Sequence, residues 1–297
     1  MKQTIDSVLL EWLGAAREVM YFPNPGNAGD ALIAAATWQV FDRLGIRPQA
    51  TRPPGFLENA DIILGGGGNL VPYYQDMRFA LECCLEKGVR KCILLPHSIR
   101  GHEDLLARLD ERFTLCCREI PSYEHAKLHA SKARVVLLDD MAVGMDFEAL
   151  RARTSTIAHR IGLLFDKDWR KYHRKWRRAL ARCHPDKNGI LTVMRSDLES
   201  VAGERGDRAY DLPRYYEIQG VQRAGCEQVA RDIVDHLCRA RVVVTDRLHM
   251  AIPAIILGIA VQPIDNVYSK LSSVIGYSFS GMNNSIGCDT QNERGAD

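Results

Sequence analysis

At 297 residues, 46 % apolar and 26 % charged with a formal net charge of +2, the chain can bury the core of one large or two medium domains but carries no global field for nucleic acid. Nine cysteines, odd in number and without a C-x-x-C, point away from a disulfide framework and a zinc site. No secretory pattern and no apolar run of membrane-spanning length stands in the sequence, so a cytoplasmic protein with reduced thiols is expected.

Ile5, Val8, Leu9, Trp12 and Leu13 repeat at helical spacing and predict a helix over 4–18. A short strand at 19–22 runs into P-N-P-G-N-A-G-D at 23–30, where two prolines and two glycines force a loop. Asp30 is placed to cap the helix that follows, which runs to Gly45. Such a loop is either a plain tight turn or a cradle for an anion or sugar against the backbone. A second strand at 61–64 ends in four glycines, Gly65 to Gly68, and Asn69. Four glycines clear the turn of side chains and let a substrate reach backbone N–H groups. The stretch is neither G-x-G-x-x-G opening a helix nor a P-loop, because no Gly-Lys-Ser/Thr follows, which excludes nucleotide binding by those two modes. Asn69 can hydrogen-bond a sugar hydroxyl, and Tyr73 and Tyr74 either stack on a sugar face or belong to the core.

A helix over 75–87 stops at Gly88, and a strand at 92–95 delivers His97 to its carboxyl end, as a substrate contact or a core histidine. After a helix at 103–109, a strand at 113–116 precedes Arg118, which binds an anion or pairs with Glu119. Ser122 reads as the cap of a helix over 123–130. A strand at 135–138 ends in Asp139-Asp140, a loop with a capping aspartate rather than a metal site, since no third ligand has fitting spacing. Strand and helix alternate, with the loop chemistry always at the same strand end, as in a doubly wound parallel sheet.

Residues 151–160 are polar and weakly patterned. They mark the boundary between an N-terminal domain, 1–155, and a C-terminal domain, 156–281, which a polar, disordered tail at 282–297 follows. The segment 167–182 is a basic amphipathic helix with eight Lys and Arg residues, and Trp169, His173, Trp176 and Leu180 fall near one face. It is either a solvated helix anchored by its tryptophans or a contact for an anionic membrane surface or lipid-diphosphate carrier. His184-Pro185-Asp186 resembles the loop of J-domain co-chaperones, but an apolar run at 190–194 follows at once, so it reads as a turn before a strand. That strand ends in Arg195-Ser196-Asp197. A charged, mobile loop is expected at 199–213, a strand at 215–218 and a helix at 226–239. Val242, Val243 and Val244 form a buried strand that Thr245 and Asp246, both good N-caps, bring to a stop before a helix at 248–257. Asp246, Arg247 and His249 therefore stand where a strand yields to a helix N-terminus, which favours an anion. Arg247 adds a planar donor fork and His249 a group that moves protons near neutral pH. A strand at 260–264, Lys270 and a helix at 271–275 close the pattern.

V-T-D-R-L-H at 244–249 resembles the signature of the polysaccharide pyruvyl transferases. N-A-G-D at 27–30, D-I-I-L-G-G-G-G-N at 61–69, C-R-E-I-P-S at 117–122 and R-S-D at 195–197 fit the same family in order and spacing. The resemblance implies an α/β fold of two Rossmann-like domains facing across a cleft, glycosyltransferase-B-like. It implies transfer of the enolpyruvyl unit of phosphoenolpyruvate to two hydroxyls of a sugar, in an exopolysaccharide or its lipid-diphosphate-linked precursor, as a pyruvate ketal. On that reading Arg247, Arg195, Lys270 and Arg118 hold the donor. His249 is the general acid, with Arg247 and Asp246 beside it. Asn27, Asp30, Gly66, Gly67, Gly68, Asn69 and His97 hold the acceptor. No metal and no further cofactor is expected, because bidentate donors serve two anionic groups. The expected location is the cytoplasm, at the inner membrane face if 167–182 makes contact there. The alternatives are a sugar-nucleotide-dependent glycosyltransferase of the same fold, a non-catalytic polysaccharide-assembly protein and, through 184–186, a co-chaperone.

Overall fold

The computed structural model describes residues 2–53, 55, 58–196, 210–219, 221–265 and 270–280, with the side chain of Lys270 outside that set. The expected tail, Asp197 and most of the expected loop at 199–213 lie outside the described residues.

The chain runs α1 (Ile5–Leu13), β1 (Glu18–Phe22), β2 (Gly26–Asn27), α2 (Ala28–Leu44), β3 (Arg47–Ala50), β4 (Asp61–Leu64), β5 (Gly67–Leu70), α3 (Asp76–Lys87), β6 (Lys91–Ile99), α4 (Glu103–Leu106), β7 (Phe113–Cys117), α5 (Ile120–His129) and β8 (Arg134–Leu137). A 3-10 turn at Met141–Gly144 and three helices follow: α6 (Phe147–Thr154), α7 (Ile157–Phe165) and α8 (Lys167–Arg182). The rest is β9 (Ile190–Val193), a 3-10 turn at Leu212–Tyr215, β10 (Glu217–Ile218), α9 (Arg223–Leu237), β11 (Val242–Thr245), α10 (Leu248–Ile256), β12 (Ala260–Pro263) and α11 (Lys270–Ser278).

Two parallel sheets result. The larger has the order β3-β1-β4-β6-β7-β8, with β5 added on β6. Its central strands β4 and β7 are buried at every residue, as parallel strands covered by helices on both faces must be. The smaller sheet has the order β12-β11-β9. The two-residue strands β2 and β10 pair antiparallel, Asn27 opposite Glu217 and Gly26 opposite Ile218. One apolar cluster runs from α1 and α2 through α9 to β11 and α10, so it joins the helices of both sheets. A second cluster fills the other face of the large sheet beneath α3, α4 and α5. Trp176 of α8 is fully buried, and its indole N–H donates to Asp232 Oδ2 at 2.9 Å, the partner a buried indole needs. None of the eight described cysteines is in a disulfide.

Several local expectations change. Helix α2 begins at Ala28, not after Asp30. Asn27 Oδ1 accepts the Gly29 N–H and the Asp30 carboxylate takes back the Asn27 N–H at 2.8 Å, a reciprocal capping box. Ser122 does not cap α5, whose N-cap is Glu119; its Oγ accepts the Ile99 N–H at 2.7 Å instead. Strand β6 continues to Ile99 because β5 pairs with its second half, so His97 lies inside a strand rather than past its end. The weakly patterned stretch 151–160 is helical on both sides of Ser155 and Thr156. At 184–190 the Asp186 carboxylate accepts the Asn188 and Ile190 N–H groups, a turn that leads into β9 as the sequence reads.

Candidate functional site

Counted without β2 and β5, the large sheet has the order 2-1-3-4-5-6, and the direction of travel reverses between β1 and β4. At such a switch point the loops at the strands' carboxyl ends part and leave a crevice. Here Gly65, after β4, passes so close to the loop after β1 that a Cβ would lie 2.4 Å from Asn24 N; only glycine fits. The crevice opens into a cleft of about 390 Å³. One wall carries Gly26, Asn27, Gly29, Asp30, Gly68, Asn69 and Arg118, from loops of the large sheet. Facing them are Arg195 after β9 and Asp246, Arg247, Leu248 and His249 after β11. Glu217 and Gln219 close one side.

Helix α10 enters this cleft by its N-terminus. Its N-cap is Arg247, and no side chain caps its first turn. Asp246 is therefore not the cap that the sequence suggests. Its Oδ1 accepts the Arg195 N–H at 2.7 Å and ties β11 to β9, while burial pushes its carboxyl above the usual range against the pull of that N–H and of Arg247. Thr245 Oγ1 accepts the Arg247 N–H at 2.9 Å. The Arg247 guanidinium is almost wholly buried and grips Asp211 through Nε at 3.0 Å and Nη2 at 2.8 and 2.7 Å. Asp211 also accepts the Ser196 N–H and hydroxyl. Arg247 is thus fixed in place on the cleft wall.

His249 sits between two carboxylates. Its Nε2 donates to Asp140 Oδ2 at 3.4 Å, and the same oxygen receives Arg118 Nη1 at 2.8 Å. Burial pushes the Asp140 carboxyl up, but the charges of His249 and Arg118 and the hydrogen bonds from His249 and the Ala142 N–H outweigh it and hold the group below the usual carboxylate range. Behind Asp140, Arg118 Nε donates to Ser98 Oγ, and Glu119 takes Ser98, Arg100 and Ser122. The second carboxylate, Asp30, goes the other way. Burial raises it, and His249, Arg118 and the hydrogen bonds from Asn27 and Asn24 offset only part of that rise. Between these groups α2 passes close: a Cβ on Gly29 would lie 2.9 Å from His249 Nδ1 and 3.1 Å from Asn27 Oδ1.

Of the expected site residues, Asn27, Asp30, Gly68, Asn69, Arg118, Arg195, Asp246, Arg247 and His249 line this one cleft. Gly66, Gly67 and His97 do not. They lie behind Asn69, where fully buried His97 accepts the Asn69 and Leu70 N–H groups on Nε2 at 3.2 and 3.3 Å. His97 thereby shapes the loop that carries Asn69. Lys270 opens α11, and its side chain is outside the described part. Asp140, Asp211, Glu217 and Gln219 were not among the expected site residues. For Asp140 the signal existed, since it follows a strand's carboxyl end like the others; for Asp211, within a charged stretch without pattern, there was none. Among the described residues one trio has ligand atoms close enough to share a metal ion, Glu103, His125 and His129, and none of the three lines the cleft. No helix among the described residues is long and apolar enough to cross a membrane.

Three comparisons place this geometry. A crystal structure of a functionally uncharacterised protein from Klebsiella pneumoniae subsp. pneumoniae is similar over 95 % of both chains, at 25 % identity and a TM-score of 0.74, which agrees with a mixed α/β fold on a parallel central sheet. No curated protein matches the chain. The family model for polysaccharide pyruvyl transferase matches residues 27–266, a span that contains every wall residue named above except Gly26. The chain belongs to the polysaccharide pyruvyl transferase family.

Proposed function

We propose that the protein transfers the pyruvyl unit of phosphoenolpyruvate to a sugar of an exopolysaccharide, or of its lipid-diphosphate-linked precursor, as a ketal across two hydroxyls. The observation that carries this reading is the setting of His249: a proton-transferring ring anchored to Asp140, in the first turn of a helix whose N-terminus no side chain caps, within a cleft that three arginines border. A helix N-terminus and guanidinium groups attract phosphate and carboxylate, and phosphoenolpyruvate carries both. The two-domain, glycosyltransferase-B-like arrangement is part of the proposal, with the two walls described above as its facing surfaces.

In the proposed reaction Arg195, Arg118 and the α10 N–H groups hold the donor, Arg247 stiffens that wall through Asp211, and Lys270 adds charge from α11. His249 gives its proton to the methylene carbon, which becomes a methyl group, and the central carbon turns electrophilic. One sugar hydroxyl bonds to that carbon and returns its proton to His249. The neighbouring hydroxyl then bonds to the same carbon as the C–O bond to phosphate breaks, and its proton leaves with the phosphate. Asp140 stays an anion that stabilises the imidazolium. Asn27, Gly68 and Asn69 hold the acceptor, with Asn69 set by His97.

The test is phosphate release from phosphoenolpyruvate with and without a lipid-diphosphate oligosaccharide. Wild-type protein should release phosphate only with acceptor, and His249→Ala should lose about 10²–10⁴-fold in turnover while still binding phosphoenolpyruvate. Full activity in that variant, or no phosphoenolpyruvate binding by the wild type, sinks the reading. A requirement for a nucleotide sugar instead favours the glycosyltransferase.

A further inference from the structure

Helix α7 turns its apolar side outward. Ile157, Ile161, Leu164 and Phe165 follow one another at helical spacing on one face and are 75, 50, 68 and 71 % exposed. The opposite face docks on α9, with His159 Nδ1 3.4 Å from Glu227 Oε2 and Gly162 against Ala224. Four of the nine large apolar side chains exposed among the described residues therefore sit on one nine-residue helix. Single exposed apolar residues need no explanation, whereas a contiguous stripe does.

The next helix supplies the charge. Asp166 ends α7 and caps α8, where its Oδ1 accepts the Trp169 N–H. Tyr172, Trp176 and Ala179 face inward, and Lys167, Arg170, Lys171, Arg174, Lys175, Arg177, Arg178 and Arg182 are all exposed. Some surface arginines elsewhere are paired, Arg43 with Asp6, Arg134 with Glu11 and Arg78 with Asp104, but no other helix carries so many cations in one run. None of the eight on α8 forms a salt bridge with a described carboxylate. An apolar stripe that runs straight into an unneutralised basic helix matches the two layers of a bilayer surface, acyl boundary and anionic headgroup.

We infer that α7 and α8 together dock the protein on an anionic lipid bilayer, the α7 side chains entering the acyl boundary and the α8 cations meeting lipid phosphates. A polyanion would use α8 and leave the stripe bare; a protein partner would cover the stripe and leave eight cations unanswered. The inner side of α8 adjoins the cleft. Tyr172 Oη donates to Glu217 Oε2 at 2.6 Å, and Asp168 Oδ2 accepts the Gln219 N–H at 2.7 Å, and both Glu217 and Gln219 line the cleft. Docking does not depend on the reaction proposed above, but it holds the cleft beside the membrane plane, where a lipid-linked acceptor is presented.

The experiment is co-sedimentation of the full chain with vesicles, without substrate. The protein should bind vesicles that contain phosphatidylglycerol, bind phosphatidylcholine alone much more weakly, and release as salt rises. Leu164→Ser with Phe165→Ser should weaken binding by tenfold or more, and Arg174→Gln should weaken it about fivefold. Both sites are exposed, and an unchanged melting temperature shows that the fold is intact. Undiminished vesicle binding by the serine variant overturns the inference in favour of plain polyanion attraction. Wild-type self-association that the serine variant abolishes, without vesicle binding, overturns it in favour of a second copy.

Discussion

Asp140 and Asp30 approach His249 from two places in the fold, and their surroundings differ in kind. Asp140, just past the last strand of the large sheet, has Arg118 at 2.8 Å and His249 at 3.4 Å on one oxygen and is held below the usual carboxylate range. Asp30, on the first turn of α2, takes its hydrogen bonds from the Asn27 N–H and the Asn24 amide, both neutral, and is raised. Both feel the same two cations. What separates them is contact: a charged donor that touches a carboxylate outweighs the cost of burial, and one that acts only through space does not. The fold thereby gives one imidazole a carboxylate partner held low and a nearby carboxyl pushed up.

Asp140→Asn tests the anion and should have the largest effect. It leaves the buried Arg118 guanidinium with Glu119 alone, 3.8 Å away, which costs up to about 3–5 kcal/mol, and it frees the His249 ring, so turnover falls as well; a denaturant midpoint close to wild type would break the comparison. Gly29→Ala comes next. The added methyl meets His249 Nδ1, and displacement of the ring should cut turnover about 10²-fold with little change in melting temperature. Arg247→Lys replaces a fork on Asp211 by a single donor and should cost about 1–2 kcal/mol, read as weaker donor binding at nearly constant turnover. The smallest effect is at Asp30. A carboxylate raised in the fold favours the native state below its unfolded value of about 3.9 and loses that advantage as pH rises through the folded value. Asp140 contributes in the opposite sense, present above that unfolded value and lost as pH falls through the folded one. Asp30→Asn should therefore gain stability relative to wild type as pH rises from acid to neutral, in paired melting curves; a constant difference across that range would show that Asp30 does not titrate as described.

The sequence makes some of this site legible and hides the rest for physical reasons. Arg118, Arg195, Arg247 and His249 follow strands, and in a parallel sheet all those ends meet on one side, so order along the chain is enough to gather them. The partners that fix them are not local. Asp140 stands 109 residues from His249 and 22 from Arg118, and Asp211 stands 36 from Arg247; no periodicity links such positions. Asn27 and Asp30 do carry a local signature, an N-cap residue and an acid three places on, and a capping box reads both. His97 shows the limit of the strand-end argument. Its strand is lengthened by β5, a pairing of glycines that β propensity disfavours, and a position expected in the cleft becomes a buried support for Asn69. Helix α7 is not read from the sequence at all: its first turn falls in the weakly patterned stretch 151–160, and its apolar face turns outward rather than to a core.

The ladder between β2 and β10 is two residues a side. It ties the N-cap of α2 to the segment that carries Glu217, in the wall of the cleft itself. Each backbone hydrogen bond is worth only about 1 kcal/mol net, so this latch can release while both sheets stay whole. On the proposed function, a bulky glycan would then need no unfolding to enter, and closure behind it would set Asn27 back in place over the same two residues.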